Sequence, residues 1–531
     1  MPTLNWIGKE KVVNHHRDVP YRVLEHKYGF TAENGEQPEP TGSGNKIIHG
    51  DNLEALKSLL PEYEGKIKCI YIDPPYNTGN ENWVYNDNVN HPKIKKWLGE
   101  VVGKEGDDLS RHDKWLCMMY PRIRLLHQLL SPDGLLFVNL DDTEAFNFKL
   151  MADEIFGLSN FISNISWEKR FTRSNNAKLF SSIKDNLFVY RKSNNVDSLR
   201  EKRNAKADST YTNPDNDPRG VWTSVSYVNP ATKEKRPNLT YPLFNPITKK
   251  EVHHPTHAWK YSKKTYKRHI ENNLLYWGKE GKNTFPRLKK FLSEMDGMVP
   301  VDIWKHEDSG TTDEASKLLE HIFGEKSIFD TPKPPKLIER VIQLSTVDNS
   351  IILDSFAGSG TTAHAVLSLN KEDGGNRKFI LIEMEDYADK ITAERVKRVA
   401  KGYGSDSKKV EGTGGEFDYY ELGPALFDEN ENLNEEVGLQ KIREYIWFSE
   451  TRTPFTDSDS EQYLLGKKDD SVYYFIYEKD RLTTLDYDAL ELIKTKGEQY
   501  IIYADNCLLP ADFMAKHNII FKKIPRDITR F

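Results

Sequence analysis

The sequence predicts an α/β protein built on a doubly wound, Rossmann-like sheet, with an inserted lobe and a small C-terminal α/β unit. Three observations carry that prediction. Short apolar runs alternate with amphipathic stretches over 46–164 and again over 329–401, the rhythm of strands joined by helical crossovers. Two of those apolar runs end in loops of ligand-binding type, Asp73-Pro-Pro-Tyr76 and Asp354-Ser-Phe-Ala-Gly-Ser-Gly360. Between the two blocks, residues 165–328 lose the rhythm, are dense in turn formers and are rich in Lys and Arg.

Residues 1–45 read as a polar arm ending in the turn-rich ENGEQPEPTGSGN. KIIHG, from Lys46, is a short strand, and NLEALKSLL is a helix with leucines at 53, 56, 59 and 60. IKCIYI (67–72) is apolar enough for a strand buried on both faces and runs straight into Asp73. A loop rich in Asn and Gly is expected from Asn77 to about Gly106. KWLCMMYPRIRLLHQLL is a helix, SPDG a turn and GLLFVNL (134–140) a strand, followed by a helix over 143–156 and a strand at FISNISW. The second block repeats the order with the helix KPPKLIERVIQLST, the strand SIILDSF, a glycine loop, the helix TTAHAVLSLN and the strand KFILIEM. A connector rich in Gly and acids (402–437) leads to a unit over 438–531, with strands at 472–477, 499–504 and 518–524.

A chain of 531 residues exceeds what one core supports, so several domains are expected. No apolar run approaches the roughly 20 residues that span a bilayer, and the N-terminus lacks an apolar signal region. Cys69, Cys117 and Cys507 lie far apart without CxxC pairing, which argues against a disulfide framework or zinc site and for a reducing cytosol. The net charge is −6, yet Ile165–Lys290 carries 27 Lys and Arg against 11 Asp and Glu. That local +16 leaves −22 for the remainder. A basic module in an acidic body is the electrostatic footprint of a polyanion binder, with Lys263, Lys264 and Lys267 as candidate contacts; solvated lysine-rich loops are the alternative. Aromatic residues among those cations can stack on exposed bases or fill a core. His253, His254 and His257 read as loop or nucleic-acid-facing residues, and no metal-ligand cluster is expected.

Chemistry concentrates in the two loops. Glycines at 358 and 360 permit a tight turn and close approach of a ligand to the backbone. The helix that follows offers free N–H groups to an anionic group. Glu383 ends the next strand, at the spacing where such folds place an acid on ribose hydroxyls. No Lys-Ser/Thr follows the glycines and the spacing is not G-x-G-x-x-G, which disfavours a Walker loop and a dinucleotide. In Asp73-Pro74-Pro75-Tyr76, prolines stiffen the backbone and leave carbonyls outside any ladder. An acid and a rigid carbonyl can together accept both hydrogens of an amino group, and Tyr76 can stack on a flat ring. A proline-stiffened structural turn is the alternative reading.

DPPYNTG, FAGSGTT and their order resemble the β group of amino-methyltransferases, in which the catalytic motif precedes the cofactor motif. NWIGKEKVVNHH, IIHGDNLEAL, FVNLDD, TFPRLKKFLSEMDGMVPVDIW, FDTPKPPKLIERVI and IIFKKIPRDI extend the resemblance, over nearly the whole chain, to modification (Mod) subunits of type III restriction–modification systems. The resemblance implies a site-specific adenine-N6 DNA methyltransferase that flips its target base and uses S-adenosylmethionine. Asp73 and the Pro74 carbonyl would hold the amino group, within a motif that includes Pro75, and Tyr76 would stack on the base. Asp354, Phe356, Ala357, Gly358, Gly360 and Thr361 would cradle the cofactor, with Glu383 on its ribose, Lys336 over its methionine end and Asp51 facing its adenine. The basic lobe would be the target-recognition domain. Duplex DNA, a second copy of the chain and an ATP-dependent restriction (Res) subunit are the implied partners, and the nucleoid the implied location. DPPY rather than SPPY favours adenine over cytosine-N4. An RNA methyltransferase, an orphan regulatory enzyme and a subunit that mainly targets a nuclease–helicase remain as alternatives.

Overall fold

The computed structural model describes residues 3–78, 92–102, 110–173, 177–203, 205–428, 430–456 and 461–530. It divides into two compact units, Met1–Asp197 with Val301–Phe531, and Ser198–Pro300.

The first unit is organised by an eleven-stranded sheet. In chain order its strands are β1 (Arg22–Thr31), β2 (Gly35–Gln37), β3 (Lys46–His49), β4 (Ile67–Ile72), β5 (Leu130–Leu140) and β6 (Phe161–Glu168). They continue as β7 (Lys184–Arg191), β8 (Ile303–Trp304), β9 (Ile351–Asp354), β10 (Lys378–Glu383) and β11 (Glu416–Ala425). The spatial order is β8-β6-β7-β5-β4-β9-β10-β3-β11-β1-β2. The run from β5 to β11 is parallel throughout, while β7 is antiparallel to both its neighbours and β1 to β11. Helices cover the parallel centre, so β4 and β10 are buried almost end to end, as apolar runs without polar alternation require.

The helices start where the sequence supplies caps. Asp51 caps α1 (Asn52–Tyr63), its carboxylate accepting from the Leu53 and Glu54 N–H groups. Ser110 and Asp113 form a reciprocal capping box at α2 (Arg111–Leu129). Pro335 opens α3 (Pro335–Ser345), where a missing N–H costs nothing. Gly360 precedes α4 (Thr361–Asp373), and α3 packs along α4.

Several expectations need correction. The 1–45 arm and the 402–437 connector are not plain linkers, because they contribute β1 and β11, which pair along ten-residue strands. Their mixed polarity hid them: the pairing is held by cross-strand contacts such as stacked Tyr28 and Tyr419 and the Lys27–Glu421 ion pair. The second unit is also shorter than the 165–328 lobe. β6, β7 and β8 extend the main sheet, and the helix Thr312–Phe323 belongs to the first unit. An antiparallel strand breaks the βα rhythm in sequence without ending the sheet, which is why the lobe looked longer. Within the expected 77–106 loop, Pro92–Val101 is helical; 79–91 and 103–109 lie outside the described residues.

The region after 438 holds the helix Leu439–Thr451 and a four-stranded sheet, Leu464–Lys468, Ser471–Phe475, Gln499–Ala504 and Ile519–Lys523. The Ser198–Pro300 unit consists of small antiparallel sheets and the helix Lys263–Glu271 around Tyr227, Tyr241, Leu243, Trp259, Tyr266, Trp277 and Leu288. Most of the aromatic residues weighed as stacking candidates are therefore core.

Candidate active site

Residues 73–76 and 354–360 leave the carboxyl ends of β4 and β9, which are adjacent and parallel with Leu353 opposite Ile70. Open α/β sheets bind ligands at such strand ends, where the connections diverge. The two loops, about 280 positions apart in the chain, therefore open side by side. Glu383 ends β10, the neighbour on the other side of β9.

In the first loop Asp73 is buried and ion-paired, its Oδ2 accepting from Lys333 Nζ at 2.5 Å. Its Oδ1 lies 3.4 Å from Asn139 Nδ2, which also donates to the Tyr76 hydroxyl. That hydroxyl donates in turn to Asp185 Oδ2 at 3.1 Å, and Lys169 Nζ reaches Asp185 Oδ1 at 2.6 Å. A continuous polar chain thus runs Lys169–Asp185–Tyr76–Asn139–Asp73–Lys333. Burial, with the charges of Asp185 and Asp73, holds the Tyr76 phenol far above its ordinary pKa, so it stays a neutral donor. The Pro75 carbonyl accepts from Trp115 Nε1 at 2.7 Å, whereas no donor among the described residues reaches the Pro74 carbonyl. Asn139 Oδ1 is likewise buried without a partner among them. An acid, a rigid carbonyl and an amide oxygen beside an aromatic ring can receive an amino group.

In the second loop Asp354 accepts from the Phe356 N–H at 3.1 Å and from the Thr362 hydroxyl at 2.6 Å. Burial pushes its pKa up to about 7; the two hydrogen bonds oppose the rise, and the Asp73 charge adds to it. Glu383 accepts from Gly358 N–H at 2.8 Å and Glu385 N–H at 3.0 Å, tying the glycine turn to the end of β10. Gly360 sits at φ +79°, and a Cβ there would meet the Thr392 carbonyl oxygen at 2.9 Å. Phe356 is half-buried, Ala357 is buried, and the Thr361 hydroxyl donates to the Lys333 carbonyl at 3.1 Å. The first N–H groups of α4 lack a side-chain cap, and Ser355 Oγ is buried without a partner among the described residues. Such a cradle fits a polar ligand with an anionic group.

Lys336 is exposed on α3, and the lysine brought to the cluster is Lys333, three residues earlier. Asp51 is foremost a helix cap, its free oxygen 3.5 Å from the buried Arg122 guanidinium. Lys263, Lys264 and Lys267 lie exposed on their helix in the second unit and make no ion pair among the described residues. His254 closes a turn, Nδ1 accepting from the His257 and Thr256 N–H groups. Sequence reasoning missed Lys333, Asn139, Asp185 and Lys169. Nothing local in TPKPP or FVNLDD singles out which of their polar residues turns inward.

The DNA methylase family of N6/N4 type matches residues 67–394. The StyLTI Mod subunit of a type III restriction–modification enzyme from Salmonella typhimurium is 33% identical over 75% of this chain and 62% of its own length. The EcoPI Mod subunit of Escherichia phage P1 is 31% identical over 73% and 64%. The type II methyltransferase M.KpnI from Klebsiella pneumoniae is 31% identical over 67% of this chain and 84% of its own length. The chain thus spans less than two thirds of the length of the two type III relatives.

Proposed function

The chain belongs to the N6/N4 DNA methylase family, and from that premise we propose a site-specific methyltransferase acting on adenine N6 in duplex DNA. The observation that carries the proposal is the placement of an amino-accepting loop and a glycine cradle on adjacent strand ends, with Asp73 and Asp354 close enough to feel each other's charge. The residues present fit S-adenosylmethionine. The uncapped start of α4 and Ser355 Oγ can receive its carboxylate and amino groups, and Asp354 and Glu383 are the acids of the cradle. When bound, that cofactor supplies an electrophilic methyl group on sulfur.

The chain's own residues then act on the target. Adenine N6 is a poor nucleophile because its lone pair is delocalised into the ring. Asp73 and the Pro74 carbonyl accept its two hydrogens and favour a tetrahedral nitrogen whose lone pair points away from both. Tyr76, anchored through its hydroxyl by Asp185 and Asn139, offers its ring as a stacking platform. Fixing both reactants on neighbouring strand ends supplies much of the acceleration. The base must leave the duplex to reach Asp73, at a cost of a few kcal/mol.

Sequence recognition is assigned to the Ser198–Pro300 unit, which carries 20 Lys and Arg against 10 Asp and Glu. Similarity to two type III Mod subunits supports a modification role here; we further propose the bacterial cytoplasm at the nucleoid as its location, and a second copy and a Res subunit as partners. Among the described residues no helix is long and apolar enough to cross a membrane.

The test is purified protein with methyl-labelled S-adenosylmethionine and, in parallel reactions, mixed bacterial DNA or RNA, digested and resolved as nucleosides. Label in N6-methyladenine is the expected result. Label in N4-methylcytosine would overturn the target, and label only with RNA would overturn the substrate.

A further inference from the structure

The placement of Lys333 goes beyond tethering a loop. Its side chain is buried, its Nζ is 2.5 Å from Asp73 Oδ2, and the same Nζ lies 5.2 Å from the centroid of the Tyr76 ring. An N–H donor on the Asp73 carboxylate above the Tyr76 ring is what an adenine amino group would present in the same pocket. We infer that Lys333 is a built-in placeholder for the target amino group, which it must yield Asp73 to before methyl transfer. The inference rests on the reading above, in which Asp73 and Tyr76 receive a base.

Position, rather than the number of acceptor sites on the carboxylate, sets up the competition, because Lys333 Nζ lies over the Tyr76 ring where a stacked base would have to sit. The Asn139 amide, at 3.4 Å from Oδ1, is at the long limit of a hydrogen bond, so Lys333 supplies the strong contact to this carboxylate. A charge-assisted bond to a buried carboxylate is among the stronger contacts a protein makes, and an unpaired buried carboxylate is costly. Lys333 therefore satisfies the Asp73 carboxylate, and an incoming group must replace what it displaces. A base edge with an amino group can do so; one that offers a carbonyl oxygen or a bare C–H cannot.

The backbone confines the release to the side chain. Pro334, which follows Lys333, restricts its φ and ψ, and the Lys333 carbonyl accepts from the Thr361 hydroxyl at the start of α4. The ammonium can leave Asp73 by rotamer change while the main chain stays docked on the glycine cradle. Lys333 is thus a specificity-determining residue that acts by occupying the pocket.

The test compares two duplexes containing the mapped target site, one with adenine and one with unsubstituted purine at the target position, each with S-adenosylhomocysteine present. The readout is the ratio of the two dissociation constants in wild type, Lys333→Met and Lys333→Gln. Weaker pairing of purine affects every variant equally and cancels, as does any general loss of DNA affinity. The expected result is an adenine preference about tenfold larger in Lys333→Met than in wild type. Lys333→Gln, which keeps a neutral donor for the buried carboxylate and so protects folding, should show a smaller rise. An unchanged or reduced ratio in either folded variant overturns the inference. Wild-type protein that methylates no adenine in any DNA would instead remove the underlying reading, and that outcome is visible without any variant.

Discussion

Replacing Asp354 by Asn tests the electrostatics of the cradle through stability alone. Asp354 is buried and its pKa is raised from 3.8 to about 7, chiefly by loss of hydration. The folded protein therefore binds a proton at this site that the unfolded chain releases between these two values. The stabilisation from neutral Asp354 is complete below about pH 4 and is lost as pH rises through 7. About three pKa units at about 1.4 kcal/mol each put the whole swing on the order of 4 kcal/mol. Between pH 5 and 8, about two of those units, or roughly 3 kcal/mol, fall in the window. Asn is uncharged throughout. Its carbonyl can keep the Phe356 N–H, and its amide can donate to Thr362 if that hydroxyl turns. Any cost of that rearrangement is an offset independent of pH. Urea unfolding of both proteins at half-unit pH steps gives the difference in stability, in which titrating groups that do not interact with Asp354 cancel. The variant should gain on wild type steadily from pH 5 to about 7 and then level off. Parallel profiles would show that Asp354 does not titrate in this range, and the argument from desolvation would fail.

Other consequences follow from the same geometry. Asp73→Ala should abolish methyl transfer, by about three orders of magnitude or more, while calorimetry shows S-adenosylmethionine binding largely retained; unaltered turnover would take Asp73 out of the mechanism. Tyr76→Ala should weaken binding of a flipped base by about 1–3 kcal/mol, the worth of one aromatic stack, and Tyr76→Phe, which keeps the ring, by less; equal losses would put the role of Tyr76 in its hydroxyl. Gly360→Ala places a Cβ against the Thr392 carbonyl in left-handed backbone and should lower both the melting temperature and cofactor affinity; a neutral variant would mean the turn can relax. Replacing Lys263, Lys264 and Lys267 with Ala should reduce the slope of log K against log salt by up to about 3; an unaltered slope would leave those lysines as a solvated face.

The sequence by itself determined whatever is written in contiguous residues. β4 is apolar at every position but Lys68 and is followed at once by Asp73 and two prolines, so strand, stiff loop and acid could be read together. The same holds for β9, the glycine turn, α4 and Glu383, whose spacing along one chain segment defines the cradle. Tertiary structure alone decided what depends on residues far apart. Only the parallel pairing of β4 with β9 brings Asp73 beside Asp354. Only burial distinguishes Lys333 from Lys336, since both are lysines in one proline-rich run and just one points inward. Asn139 and Asp185 come from β5 and β7, paired antiparallel, and meet Tyr76 because that pairing puts their side chains at its hydroxyl. β1 and β11 look like loop-rich ends until they find each other across about 390 residues. Periodicity reports how a segment faces its surroundings; which surroundings it meets is set by long-range pairing, and no local pattern encodes that.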